Sequence, residues 1–257
     1  MYMEIPQGFH HEEQRKTHVL QLLKNIYGTR QTGRVWNKHI HAAGLMARGY
    51  RQSTVDHCVY YKGSSTVFLL YVDDGIFIGP DAAEIDNLIM SLKRNPLHKT
   101  SYDIMDEGNL SEYLGVKIDH LERGRMLLSQ SHLIQQILND LGFKDNTKSK
   151  HTPAPALTIF NRDSNGKEFE EEWAYRLVIG KLNLLEKFTR GDLSYAVHQC
   201  ARFFSICPKH SHAEAVCHIG RYLIGTKNKG IILNPSQDLF DCYVDADFCG
   251  TWNPDTA

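Results

Sequence analysis

The sequence predicts an α+β fold. Short β-rich runs are mixed with helical patterns in the first part of the chain. Three helical patterns then follow a Pro- and Asn-containing stretch, and strand-like runs close the chain. This order lacks the regular strand–helix alternation of a parallel α/β sheet.

The elements follow in order. Residues 1–9 carry Pro6 and Gly8 in a turn context, and residues 18–26 are apolar, punctuated by Lys24 and ended by Tyr27-Gly28. Residues 31–48 predict a helix: Val35, Ile40, Ala43, Leu45 and Met46 fall near one face and Gly49 closes it. Residues 58–61 and 66–72 are β-rich and separated by Lys62-Gly63-Ser64-Ser65, a hairpin-like gap. Two apolar strands then flank Asp73-Asp74-Gly75, and Asp-Gly between apolar runs signals a hairpin turn. Pro80-Asp81 opens a helix with Ile85, Leu88, Ile89 and Leu92 on one face. Residues 113–120 and 126–129 predict a second hairpin, turning at Arg123-Gly124. Ser131 is placed to cap a helix bearing Ile134, Ile137, Leu138 and Leu141, stopped by Gly142. Residues 144–166 read as a linker, with Pro153, Pro155 and an Asn161–Gly166 stretch of turn formers. Helical patterns cover about 170–189, 193–204 and 210–224, and residues 230–233 and 239–248 are strand-like.

Composition bounds the function. The 257 residues are 42% hydrophobic and 23% charged, which excludes a disordered chain and allows one large domain or two small ones. The longest apolar run, residues 67–72, is far below the roughly 20 residues of a membrane span, and no signal-peptide pattern opens the chain. The six cysteines form no CxxC pair and read as reduced thiols of an intracellular protein, with no membrane partner. The net charge of −1 gives no global argument for nucleic acid. The distribution does: no Asp or Glu occurs between Gln14 and Arg51, a segment holding Arg15, Lys16, Lys24, Arg30, Arg34, Lys38, Arg48 and Arg51. Such a segment suits a polyanion, or is a solvated basic face with no ligand.

Asp73-Asp74 is the sharpest chemical feature. Adjacent carboxylates repel each other and resist burial unless paired or metal-bound. At a hairpin tip both can approach one point, and hard oxygen ligands suit Mg²⁺ or Mn²⁺. The alternative is an ordinary turn with a solvated acidic tip. Trp36 is either a stacking platform or a core anchor for its helix, and Met105 and Met126 read as core. The pairs His39/His41 and His210/His212 have no Cys at zinc-finger spacing.

Tyr71-Val72-Asp73-Asp74 between apolar strands resembles the YVDD active-site hairpin of reverse transcriptases. Ordered blocks extend the likeness to copia-type LTR-retrotransposon polymerases over nearly the whole chain. Tyr2-Met3-Glu4-Ile5-Pro6-Gln7-Gly8-Phe9 resembles VYMxQPxGF, and the Leu23–Trp36 block (residues 23–36) is similar to LKKALYGLKQAPRAW. Asp56-His57-Cys58-Val59-Tyr60 resembles DxCxY, and Tyr113-Leu114-Gly115 after Gly108-Asn109-Leu110 resembles GxLxxFLG. Leu128-Ser129-Gln130 is similar to ISQ, and Tyr175-Arg176 with Ile179-Gly180-Lys181-Leu182 to YRxxIGxLxxL. Thr189-Arg190-Gly191-Asp192-Leu193 resembles TRPDL with Gly191 in place of Pro, and Arg221-Tyr222-Leu223-Ile224-Gly225-Thr226 matches RYLxGT. Asp245-Ala246-Asp247-Phe248-Cys249-Gly250 resembles the DADxxG opening of ribonuclease H.

The resemblance implies a right-hand polymerase: a partial, N-terminally truncated fingers–palm over 1–142, a linker over 143–169, a helical thumb and connection over 170–235, and a stub of ribonuclease H sheet over 236–257. It implies RNA-directed DNA polymerase activity from dNTPs on a template–primer, with Mg²⁺ or Mn²⁺ on Asp73 and Asp74. Arg30, Gln31, Arg34 and Tyr71 would lie near nucleic acid and dNTP, and Asp245 would match the nuclease's first metal carboxylate, without function on its own. The partners implied are RNA or DNA template–primer, dNTPs and the remaining segments of a Pol polyprotein. The location implied is cytoplasmic, in a virus-like particle, or nuclear. The family's third metal carboxylate lies in a DVKxAFL-type motif that occurs nowhere in this sequence, and Glu4 does not supply it. These residues alone are therefore expected to be catalytically crippled, and the alternative is a non-catalytic nucleic-acid-binding remnant of a retroelement.

Overall fold

In the computed structural model, residues 2–9, 14–63, 65–93, 100–144, 146–155, 163–202 and 207–234 are described. The strand-like run 239–248, with Asp245, lies outside them, as does part of the 144–166 stretch. The chain is mixed α and β, as its patterning predicts, and divides into two compact units, Met1–Gly108 and Asn109–Ala257.

In the first unit, β1 (Tyr2–Glu4) and β2 (Val19–Gln21) form an antiparallel pair. The predicted helix over 31–48 forms as one helical run in three geometries. It is α1 (Thr32–His39), then a π-helical segment (Ile40–Leu45), then a 3₁₀ turn (Met46–Arg48). Gly49 ends it at φ 81°, a left-handed conformation that an L side chain resists. Strands β3 (Arg51–Gln52), β4 (Val59–Lys62), β5 (Thr66–Tyr71) and β6 (Asp74–Ile78) form an antiparallel sheet in that order. Helix α2 (Ala82–Lys93) begins after Asp81, whose carboxylate accepts from the Ala83 and Glu84 N–H groups at 2.9 and 3.3 Å.

One face of this sheet is core and the other is open. In β5, Thr66, Phe68 and Leu70 are buried, while Val67 and Leu69 are half-buried and Tyr71 is exposed, the period-2 alternation of a strand covered on one side. Phe68 and Leu70 join Ile40, Leu45, Tyr50, Tyr60 and Leu88, with Trp36, Phe77 and Tyr102 against them.

Arg48 ties this unit together from inside. It is buried and donates to the carbonyls of Ala43, Gly44, Ser91 and Thr100 at 2.8–3.0 Å. One guanidinium thus satisfies carbonyls of the α1 run, of α2 and of the segment after it.

The second unit holds β7 (Glu112–Tyr113), β8 (Val116–His120), β9 (Met126–Ser129) and β10 (Ile231–Leu233), in the sheet order β10-β9-β8-β7. The predicted turn at Arg123-Gly124 is present, with both residues at positive φ. Helix α3 (Ser131–Asp140) forms as expected, but Ser131 is its first residue and not its cap. Gln130 takes the cap position without capping by its side chain, whose carbonyl oxygen accepts from the Thr189 hydroxyl at 2.9 Å.

Helices α4 (Tyr175–Phe188), α5 (Ser194–Ala201) and α6 (His210–Gly225) match the three helical patterns. Ile134, Ile137 and Leu138 of α3 share one apolar core with Val178, Ile179, Leu182, Val197, Val216 and Ile219. The first unit ends at Gly108, ahead of the 144–166 stretch whose composition suggests a linker, because α3 packs with the helices beyond that stretch.

Two of the resemblance blocks meet here. Arg190, 2% exposed, makes a two-pronged bond to Asp192 at 2.9 and 2.8 Å and donates to the Thr226 carbonyl at 3.0 Å. The Tyr222 hydroxyl donates to Asp192 at 2.7 Å, and its ring lies 5.4 Å from the Arg190 guanidinium. Burial alone would raise the Asp192 carboxyl, but its bonds from Arg190 and Tyr222 outweigh that and hold it below the ordinary carboxylate value.

Candidate active site

The acidic pair sits where two strands turn back on each other. Strands β5 and β6 pair Val67↔Ile78 through Tyr71↔Asp74, so the turn residues are Val72 and Asp73. Asp-Gly is therefore not the turn, as the dipeptide signal suggests: Asp74 is the first residue of β6 and Gly75 lies inside the strand opposite Leu70. The reason is packing. A Cβ on Gly75 would stand 2.6 Å from Phe68 Cε2, and the Phe68 and Phe77 rings pack with centroids 4.5 Å apart. The glycine admits that ring.

Without glycine at the turn, Val72 takes φ 57°. A β-branched residue pays steric strain there and persists only where its surroundings hold it. Part of that hold is visible. The Trp36 indole N–H donates to the Val72 carbonyl at 2.6 Å, and the Trp36 ring meets Tyr102 edge-on at 5.9 Å.

Asp73 and Asp74 are both exposed, and among the described residues neither carboxylate has a hydrogen bond or ion pair. Asp74 stands across from Tyr71, on the open face of the sheet. Two free, hard carboxylates fit a divalent cation as donors. They are an incomplete set: among the described residues no third His, Cys, Asp or Glu groups with them as a metal site.

The remaining candidates divide. Gln31 takes the cap position of α1 with exposed Arg30 before it, and exposed Arg34 lies on the helix that carries Trp36. Tyr71 is 53% exposed at the hairpin end. Arg48, counted in the acid-free basic segment, is withdrawn into the core and is not available to a ligand. Asp245 lies outside the described residues.

The histidines of the two pairs have protein partners, His210 lying 3.3 Å from a Glu171 carboxylate oxygen. His41 Nδ1 bonds the Tyr60 hydroxyl at 3.2 Å, His39 meets the Tyr102 ring at 5.8 Å, and buried His212 accepts from the Lys209 N–H at 2.9 Å as a helix cap. Thiol chemistry has no support at buried Cys200 or half-buried Cys217. Burial pushes Cys200 up to about 12 and Cys217 up to about 11, so neither is a thiolate at neutral pH. Among the described residues no helix is long and apolar enough to cross a membrane.

What sequence reasoning missed is the Trp36 bond to the turn. Its only signal was position, two residues after Arg34 in a block of the resemblance.

A family model described as Reverse transcriptase (RNA-dependent DNA polymerase) matches residues 1–156. The Retrovirus-related Pol polyprotein from transposon RE1 of Arabidopsis thaliana is 31% identical over 97% of this chain. That from transposon TNT 1-94 of Nicotiana tabacum is 32% identical over 97%. The chain spans 16% and 19% of the length of those two relatives. The putative transposon Ty5-1 protein of Saccharomyces cerevisiae is 25% identical over 96% of this chain, which covers 78% of it. No solved structure matches. A family match that takes in the hairpin and continues to residue 156, together with transposon relatives along almost the whole chain, makes this protein a member of the reverse transcriptase family, of the copia type of retrotransposon.

Proposed function

We propose that the β5–β6 hairpin is the metal-holding part of an RNA-directed DNA polymerase site, with Asp73 and Asp74 as the catalytic carboxylates. The observation that carries this reading is the pair of unpartnered carboxylates at a braced hairpin tip, in a chain whose family is reverse transcriptase. Mg²⁺ or Mn²⁺, when bound, supplies neutralisation of the charge that develops as a primer 3′ hydroxyl attacks a dNTP α-phosphate and pyrophosphate leaves. The chain's own residues do the positioning. Arg30 and Arg34 neutralise phosphates, Gln31 offers an amide at the start of α1, and the open-face ring of Tyr71 lies against a nucleotide. Within this reading residues 1–142 are fingers–palm, 170–235 thumb and connection, and 236–257 the opening of ribonuclease H with Asp245 as its first carboxylate. The partners are template–primer, dNTPs and other Pol polyprotein segments, met in a cytoplasmic particle or the nucleus.

The family resemblance implies three metal carboxylates, and these 257 residues match two of them, Asp73 and Asp74. Primer extension on poly(rA)/oligo(dT) by this chain, beside Asp73→Asn, tests the reading. Trace Mg²⁺-dependent synthesis at most, with Mn²⁺ binding that Asp73→Asn removes, is expected. Robust synthesis abolished by Asp73→Asn keeps the site and overturns the expected inactivity; synthesis that survives the substitution overturns the site.

A second reading, a non-catalytic nucleic-acid-binding remnant, is favoured by the missing third ligand among the described residues. It expects salt-sensitive binding that depends on Arg30 and Arg34 and is indifferent to Asp73→Asn.

A further inference from the structure

We propose that Trp36 is a positioning residue: its indole N–H fixes the peptide between Val72 and Asp73 and so aims the first carboxylate of the pair. This rests on the reading of Asp73 and Asp74 as metal ligands.

The carbonyl that accepts the bond belongs to the peptide unit preceding Asp73. Holding that oxygen fixes the plane from which the Asp73 Cα and side chain depart. The need for a hold is local. Val72 has φ 57°, and the turn is two residues long, so rotation of this peptide is the cheapest way to relieve the strain. A rotated peptide leaves β5 and β6 paired while it redirects Asp73 relative to Asp74.

Trp36 is equipped to resist that rotation. Its bond to the turn is 2.6 Å, its ring packs with the core that includes Phe68 and Leu70, and Tyr102 abuts it at 5.9 Å. The donor thus comes from a helix seated on the same sheet. An outer partner that orients a metal-binding side chain typically affects affinity by about 10–100-fold.

The test uses the whole chain and Mn²⁺ as probe, read by electron paramagnetic resonance and by broadening of the indole N–H resonances. Trp36→Phe keeps a ring in the core and deletes the donor. It is expected to weaken Mn²⁺ binding about 10-fold or more, with the circular dichroism spectrum and urea midpoint near wild type. Val72→Gly removes the strain at positive φ, so Trp36→Phe added to Val72→Gly is expected to lose no more than about threefold further, a coupling that a merely structural tryptophan does not show. In the wild type the Trp36 N–H resonance is expected to broaden with Mn²⁺, and not in Asp73→Asn.

Trp36→Phe that binds Mn²⁺ as tightly as wild type overturns the positioning role and leaves the carboxylate site standing. Equal losses in the wild-type and Val72→Gly backgrounds overturn it as well. Mn²⁺ binding that ignores Asp73→Asn overturns both, because the site itself is then wrong.

Discussion

Arg34 and Arg48 belong to one acid-free stretch and have opposite fates. Arg34 is exposed on α1, while Arg48 is buried against main-chain carbonyls of three segments. Burial lowers its pKa from a very high ordinary value. Removing it strands several carbonyls, each carrying a penalty of about 1–3 kcal/mol when unsatisfied. Arg48→Met is therefore expected to destabilise the protein by about 3 kcal/mol or more, read as a fall in the urea midpoint. Arg34→Ala is expected to leave stability within about 0.5 kcal/mol. It should instead lower the slope of log binding constant against log salt for a nucleic-acid duplex by about one. The sequence shows both as Arg in a basic run, because charge patterning carries no information about which side chain turns inward.

At the scale of elements, periodicity was an adequate guide, and turn chemistry placed the Arg123-Gly124 turn but not the turn between β5 and β6. The helices α2 to α6 appear where 3.6-residue spacing of Ile, Leu and Val puts them, because each stripe is buried in a core. The β5–β6 hairpin also forms where the two apolar runs require it, yet its turn is two residues earlier than Asp-Gly indicates. What shifts it is a contact no local rule contains, the Phe68 ring lying across Gly75. Gly75→Ala is accordingly expected to destabilise the hairpin by about 1–3 kcal/mol through overpacking, while Phe68→Leu in the same chain recovers part of the loss. A denaturation series on the single and double variants checks both. The opposite case is Gly191, where a Cβ meets nothing within 4 Å and the residue opens a 3₁₀ turn. Gly191→Pro is expected to raise the urea midpoint, by about 0.4–1 kcal/mol of stability, by restricting the unfolded chain.

For the whole molecule the consequence of two compact units is two sources of cooperativity. Each has its own apolar cluster, and each is pinned by a different buried arginine, Arg48 in the first and Arg190 in the second. The acid response separates them. Asp192 is held below the ordinary carboxylate value in the folded second unit, so its contribution is complete above the unfolded value of about 3.9 and is lost as pH falls through the lowered folded value. Among the described residues Arg48 has no carboxylate partner to protonate, since its bonds there are to carbonyl oxygens. Urea unfolding followed by residue-resolved amide exchange at pH 7 and at pH 3 is therefore expected to show α4–α6 losing more protection in acid than the β4–β6 sheet does. Asp192→Ala is expected to weaken the second unit at pH 7 and to flatten its pH dependence, leaving the first unit's protection unchanged. An equal acid response of both units, or a second unit whose pH dependence survives Asp192→Ala, would show that the Arg190–Asp192–Tyr222 bonds do not govern its stability.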